Sequence, residues 1–236
     1  MIRFCYLILG FGLLFSCQPK KDTVTSETEQ PIAPAKIVFN DTIPTPEGFT
    51  VLLEAEGDLD KDRQAEKVVI YDTPIETEMG TERAIHIFRK GPENWMLWHK
   101  TTGGILSSGH GGMFGDPLND VRIERGCIVL EHFGGSRQKW AYLHRYRFQN
   151  EDWELIGTTV GFGVPCESWE TFDYNLSTGN LDYKLEQEKC GDEGGTSKVL
   201  KKESFTLTQD DLPSMDSMYP GNNGVEIPNT DLVFYY

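Results

Sequence analysis

The stretch Lys139-Trp140-Ala141-Tyr142-Leu143-His144-Arg145-Tyr146-Arg147-Phe148 alternates ring-bearing side chains with other types at a period of two. Trp140, Tyr142, His144, Tyr146 and Phe148 therefore fall on one face of an extended strand, and Leu143, Arg145 and Arg147 on the other. A helix would scatter the same rings around its axis. Two readings of the ringed face are open. It is either buried core, with His144 a hydrogen-bonded internal histidine, or an aromatic platform for sugar rings or another ligand. Large rings bury more area than any other side chain, so core is the preferred reading.

Outward from this strand the style does not change. Residues 49–56, 66–72, 83–90, 94–99, 121–124, 127–133 and 152–158 are β-branched or aromatic runs separated by turn residues. Arg125-Gly126, Gly91-Pro92-Glu93-Asn94 and Asn150-Glu151-Asp152 suit hairpin turns. A further hairpin, 168–176 with 181–188, closes around Ser177-Thr178-Gly179-Asn180. Its spacing pairs Leu176 with Leu181, Tyr174 with Tyr183 and Phe172 with Leu185, with Asp173 opposite Lys184. No long stretch carries an i, i+3, i+4, i+7 apolar face, and 197–202 is the one short candidate for a helix. The expectation is a mainly β domain over residues 35–236, with antiparallel hairpins forming a sandwich or a rolled sheet and little helix.

Cys166 and Cys190 stand at the open ends of that hairpin, and a disulfide between them is expected in an exported chain. In the register above, position 166 faces position 191, so a bulge or fraying near Gly191 must bring the two thiols to one side. Cys127 is then a buried free thiol.

The other two cysteines lie near the start. Arg3 precedes an apolar run from Phe4 to Phe15 and then Ser16-Cys17. One positive charge followed by about a dozen apolar residues is a signal-peptide layout, shorter than the roughly 20 residues of a membrane-spanning helix. Leu14-Phe15-Ser16-Cys17 resembles a lipobox, with Phe15 bulkier than usual at its position. That resemblance implies cleavage after residue 16 and acylation of Cys17, by palmitate or a similar chain, which holds the chain to a membrane without spanning it. An ordinary cleaved signal peptide with an incidental cysteine is the alternative. Residues 17–34 have almost nothing to bury and read as a tether. Gln18, rather than Asp, after the anchor resembles an outer-membrane address in the cell envelope.

With 22 Lys+Arg against 37 Asp+Glu the chain carries −15, and losing Arg3 with residues 1–16 makes it one charge more negative. Such a surface argues against nucleic-acid partners, which need a basic face, and leaves room for cations. The sharpest motif is Glu56-Gly57-Asp58-Leu59-Asp60-Lys61-Asp62-Arg63-Gln64-Ala65-Glu66, between two strands. Alternate carboxylates on a tight loop can wrap a hard cation, and Gln64 can add its backbone carbonyl. The pattern at Asp58, Asp60, Asp62 and Glu66 resembles the calcium loops of FG-GAP and VCBS-type repeats, which implies a calcium site between two strands. Arg63 stands where those loops prefer Gly, and Glu66 replaces their usual Asp. No second acidic loop of this spacing occurs, so a single copy in another β fold is expected rather than a propeller. The lipobox, the acidic loop and the Gly-Gly-x-Phe-Gly-Asp turn together are similar to uncharacterised lipoproteins of Gram-negative bacteria, a resemblance that implies no particular activity.

The glycine-rich stretch 103–116 contains His110-Gly111-Gly112, as in the oxyanion segment of lipases, but no Gly-x-Ser-x-Gly elbow accompanies it. No phosphate-binding Gly-x-x-x-x-Gly-Lys-[Ser/Thr] loop is present. The stretch reads as a tightly packed crossover in which His110 and Asp116 are candidate contacts for a ligand cleft. Five scattered histidines offer no transition-metal spacing. The expectation is a non-enzymatic envelope lipoprotein, a tethered β domain that binds a protein or glycan or supports the envelope, stabilised by calcium. The alternatives are an enzyme acting on envelope or environmental glycans, and a solute-capture protein, which would need two lobes.

Overall fold

Val68-Val69-Ile70-Tyr71 are apolar at four consecutive positions, as a strand must be when both of its faces are covered. In the computed structural model, which describes residues 39–191 and 195–236, this is the middle of β2 (Glu66–Thr77). Val68 and Ile70 point into the main core, and Val69 and Tyr71 point the other way into a smaller cluster. That second cluster exists because the segment before the first strand lays Phe39, Ile43 and Phe49 over the outer face. The expectations for the signal (1–16), lipidated Cys17 and the tether (17–34) lie outside the described residues.

β1 (Thr50–Gly57), β2, β3 (Gly80–Lys90) and β4 (Trp95–Thr101) form a four-stranded antiparallel meander in chain order. The crossover then leads to a seven-stranded antiparallel sheet, again a meander. Its strands are β5 (Leu118–Glu124), β6 (Cys127–Gly135), β7 (Lys139–Gln149), β8 (Asp152–Val164), β9 (Ser168–Asn175), β10 (Asn180–Lys189) and β11 (Thr196–Thr206). β12 (Gly224–Glu226) and β13 (Val233–Tyr235) make a short terminal hairpin. Among the described residues there is no helix. The mainly β, antiparallel architecture is as the alternation implies.

The core lies on one face of the large sheet. Ile128, Leu130, Tyr146, Leu155, Val160, Phe172, Tyr174, Leu181 and Tyr183 project from neighbouring strands into a single cluster. Residues 207–236 run across that face and add Met215, Met218, Ile227, Phe234 and Tyr236. Each large side chain fully withdrawn from water contributes about 1.5–3 kcal/mol, so this unadorned segment closes the fold. β1 packs beside β5, where a side chain at Gly57 would strike Ile123.

The turns follow their sequences. Arg125 (φ 53°) and Gly126 (φ 74°) join Glu124 to its partner Cys127, and Asn150 (φ 52°) and Glu151 (φ 63°) join Gln149 to Asp152. Both are two-residue loops with positive φ at each position, the hairpin geometry that matches strand twist.

Two expectations are corrected. Residues 197–202 are not helical but lie in β11, held by β10 along its length. The 168–188 hairpin is displaced by two residues: Leu181 pairs with Tyr174, Tyr183 with Phe172 and Asp182 with Asp173, while Lys184 faces Thr171. A shift of two preserves every face, so the hydrophobic pattern could not distinguish the registers. The loop decides: Leu176 leaves the ladder, and Gly179 (φ 76°) donates to the Asn175 carbonyl. The expected Cys166–Cys190 bond is present, with Cα atoms 5.0 Å apart, and it forms past the end of the ladder, which stops at Ser168 and Gln187, rather than across a bulge. Cys166 instead occupies the turn Val164-Pro165-Cys166-Glu167 with φ 68°, after a proline and before an amide that donates to the Val164 carbonyl. That turn swings its side chain off the ladder toward Cys190. Cys127 is a buried free thiol.

Candidate functional site

The β1–β2 connection is built from its own carboxylates. Asp58 accepts from the amides of Lys61 (2.6 Å) and Arg63 (3.2 Å), Asp60 from that of Asp62 (3.0 Å), and Asp62 from that of Gln64 (2.6 Å). These short side-chain turns coil the loop so that Asp58, Asp60 and Glu66 each present an oxygen within 4.8 Å of the others. Asp62 is not in that group, because Gln64 Nε2 holds its second oxygen at 2.9 Å. Lys61 (φ 69°) and Arg63 (φ 73°) both adopt the left-handed conformation. Arg63 thus pays a strain that the Gly of the resembling loops avoids.

Glu66 is the unusual member. It is 1 % exposed, it opens β2, and one oxygen accepts from the Leu59 amide at 2.7 Å. Burial raises its pKa, the Leu59 amide opposes this, and the charges of Asp60, Asp62 and Asp58 raise it further. A buried carboxylate among three acids is costly to ionise without a cation. Oxygen donors of this kind, close together on a coiled loop, fit a hard divalent cation.

The glycine-rich crossover packs as its composition implies. A side chain at Gly103 would run into the carbonyls of Met215 and Asp216. His110 and Asp116 do different things. Asp116 makes a two-point ion pair with Arg83, a fully buried guanidinium that also reaches Asp72 at 3.2 Å, and it accepts from the Leu118 amide at 2.8 Å. Burial acts to raise the Asp116 pKa, but the Arg83 and Leu118 hydrogen bonds and the Arg83 charge leave it below the usual carboxylate range. Asp116 is therefore an anchor that ties the crossover to β3, and it does not line the adjacent cleft. His110 does. The cleft is about 570 Å³, with Glu78, Glu82, Arg83, His110, Asp216 and Tyr219 among its walls. Tyr219 bonds His110 Nε2, and Asp216 bonds His99 at 2.7 Å. Arg83, Asp216 and Tyr219 carried no signal in the sequence. Arg83 comes from β3, and Asp216 and Tyr219 are brought to it by the return of the last 30 residues, whose path no local pattern specifies.

The ringed face of β7 is divided. His144 and Tyr146 are fully buried, whereas Trp140, Tyr142 and Phe148 are half-buried. The expectation that His144 is hydrogen-bonded is corrected: among the described residues neither ring nitrogen has a partner. Its cross-strand neighbours are Leu130 and Thr158, and the Thr158 hydroxyl is itself unpartnered. His132, its ring centroid 6.5 Å away, accepts one bond from the Leu106 amide at 3.3 Å. Burial first, and then neighbouring positive charge, lowers both histidines, His132 to about 3. Both stay neutral at ordinary pH.

No protein-family model, no curated protein and no solved structure matches this chain.

Proposed function

We propose that the chain is a lipid-anchored lipoprotein of the cell envelope, held by acylated Cys17, whose β domain is a non-enzymatic binding module stabilised by calcium. One observation carries the calcium assignment: Glu66 is withdrawn from water while facing Asp58 and Asp60. Asp58, Asp60 and Glu66 would hold the ion, and the bound charge would supply the compensation that the three carboxylates otherwise lack. The acidic loop joins the first two strands of a four-stranded antiparallel meander, the setting that the resemblance to FG-GAP and VCBS-type loops implies. The lipobox-like Leu14–Cys17 sequence and the polar residues after it support the anchor, and Gln18 supports the outer membrane.

Two measurements test this reading. Isothermal titration of the full chain with calcium should give one saturable site that is lost in Asp60→Ala. An uptake of labelled palmitate by cells expressing the chain should disappear in Cys17→Ser. No heat of calcium binding sinks the metal assignment, and label that persists in Cys17→Ser sinks the anchor.

A second reading, an enzyme on glycans, is favoured by Glu78, Glu82 and Asp216 lining one cleft. Glycosidases place two carboxylates about 5–9.5 Å apart. Release of reducing ends from envelope glycans, abolished in Asp216→Asn, would support it. No release from any of them removes it.

A further inference from the structure

The open end of the β7 ring face borders a groove. Trp140 and Tyr142 stack with centroids 4.9 Å apart, and Gly134 opposite Trp140 leaves room for the indole. Beside them Phe162 of β8 and Phe234 and Tyr235 of β13 complete the aromatic lining of a groove of about 630 Å³. Tyr235 is 55 % exposed, and Phe114 and Phe133 lie in contact with each other at 5.3 Å just beyond, both exposed. Beyond the hydroxyl and indole groups of these rings, the polar residues of the lining are Ser136, Gln138 and Lys139, with Gly112 and Gly135 beside them.

We propose that this groove binds a short oligosaccharide without cationic groups, with sugar faces against the Trp140, Tyr142 and Tyr235 rings and hydroxyls toward Gln138 and Ser136. The proposal rests on reading the domain as a binding module, and it is independent of calcium. Three features select the ligand. The aromatic walls favour flat apolar faces, as sugar rings present along their C–H bonds. The amide and hydroxyl at the groove's edge favour a ligand that carries hydroxyls, because a purely apolar one would strip them of water without return. Charge is the third. In a chain of −15, the one charged residue among the described residues lining the groove is Lys139. Its ammonium already donates to the Ser136 carbonyl and sits 4.2 Å above the Phe114 ring. With no carboxylate among its described lining residues, the groove offers no countercharge to a cationic ligand. The glycine backbone at 112 and 135 is bridged directly, which fixes the floor before any ligand arrives.

The test is titration of the full chain with chitotetraose, cellotetraose and mannotetraose, read by calorimetry. At least one should bind saturably. Tyr235→Ala, at an exposed position whose loss leaves the core intact, should weaken that sugar on the order of three- to tenfold, the size of one lost ring contact. Gln138→Ala should weaken it as well, and Asp60→Ala in the acidic loop should leave it unchanged. Absence of saturable binding by all three sugars overturns the proposal. So does binding that Tyr235→Ala and Trp140→Phe both leave untouched, or binding of the apolar dye anilinonaphthalene sulfonate in place of any sugar. If the sugar binds and calcium does not, the metal assignment fails alone. If calcium binds and no sugar does, the groove assignment fails alone.

Discussion

Glu66 gathers burial and three like charges at one carboxyl group, and its protonation answers to both. Its folded pKa lies above the ordinary 4.5, so the folded state holds the proton more tightly than the unfolded one. Stability without calcium therefore falls as pH rises from about 4.5 through the raised value. Glu66→Gln keeps an acceptor for the Leu59 amide and removes the charge. Chemical denaturation in chelator at neutral pH should find this variant more stable than the parent, and calcium should no longer stabilise it. Equal stability in chelator would mean that Glu66 costs nothing there. The two buried histidines have the opposite sign. Both are lowered from 6.5, so the unfolded state takes up protons first and stability falls as pH drops below about 6.5, continuing to about 3 for His132. His144→Phe should flatten part of that acid loss in a pH series of denaturation curves. An unchanged slope would place the acid sensitivity elsewhere. Arg63→Gly should relieve the strained φ of 73° and stabilise by roughly 1 kcal/mol, in line with the cost of a left-handed non-glycine residue.

At the scale of the element, the sequence is legible wherever a strand has one dry face. Alternation located β7, because side-chain direction in a strand is set by residue parity alone, whereas β2, covered on both faces, was found as a β-branched run. Parity also explains the failure at 168–188. A two-residue slip keeps Phe172, Tyr174, Leu181 and Tyr183 on their face, and the choice falls to loop geometry around Gly179. β11 was misread because nearly all of it is exposed, so no burial pattern marks it, and its strand state comes from hydrogen bonds to β10. Cys166 joins these edges to the turn before β9. A disulfide closing a loop of this size contributes about 3 kcal/mol in the chain-entropy account. Urea unfolding of Cys166→Ser should show a loss of about 2–4 kcal/mol with little change in the folded signal. A loss below about half a kilocalorie would mean that the bond is not formed or constrains nothing.

At the scale of the whole domain, what the sequence concealed is the return path. Residues 207–236 contribute Met215, Met218, Phe234 and Tyr236 to the core and also Asp216, Tyr219 and Tyr235 to the two surface depressions. A crossover and a terminal segment meet there from distant parts of the chain, and the pairing of Tyr219 with His110 spans 109 positions. The acidic loop was visible because its chemistry is local, with every donor within nine residues. The domain's stability is thus divided between a large core that needs no ion and one short loop whose carboxylates repel. In the proposed reading calcium acts on the second alone. Thermal unfolding of the full chain in millimolar calcium and again in chelator measures that action directly. At about 100 times its dissociation constant the ion adds about 2.7 kcal/mol, a rise of about 5–10 °C for a domain of this size. The account predicts that rise, and its disappearance in Asp60→Ala. Superimposable melts in calcium and chelator would contradict it.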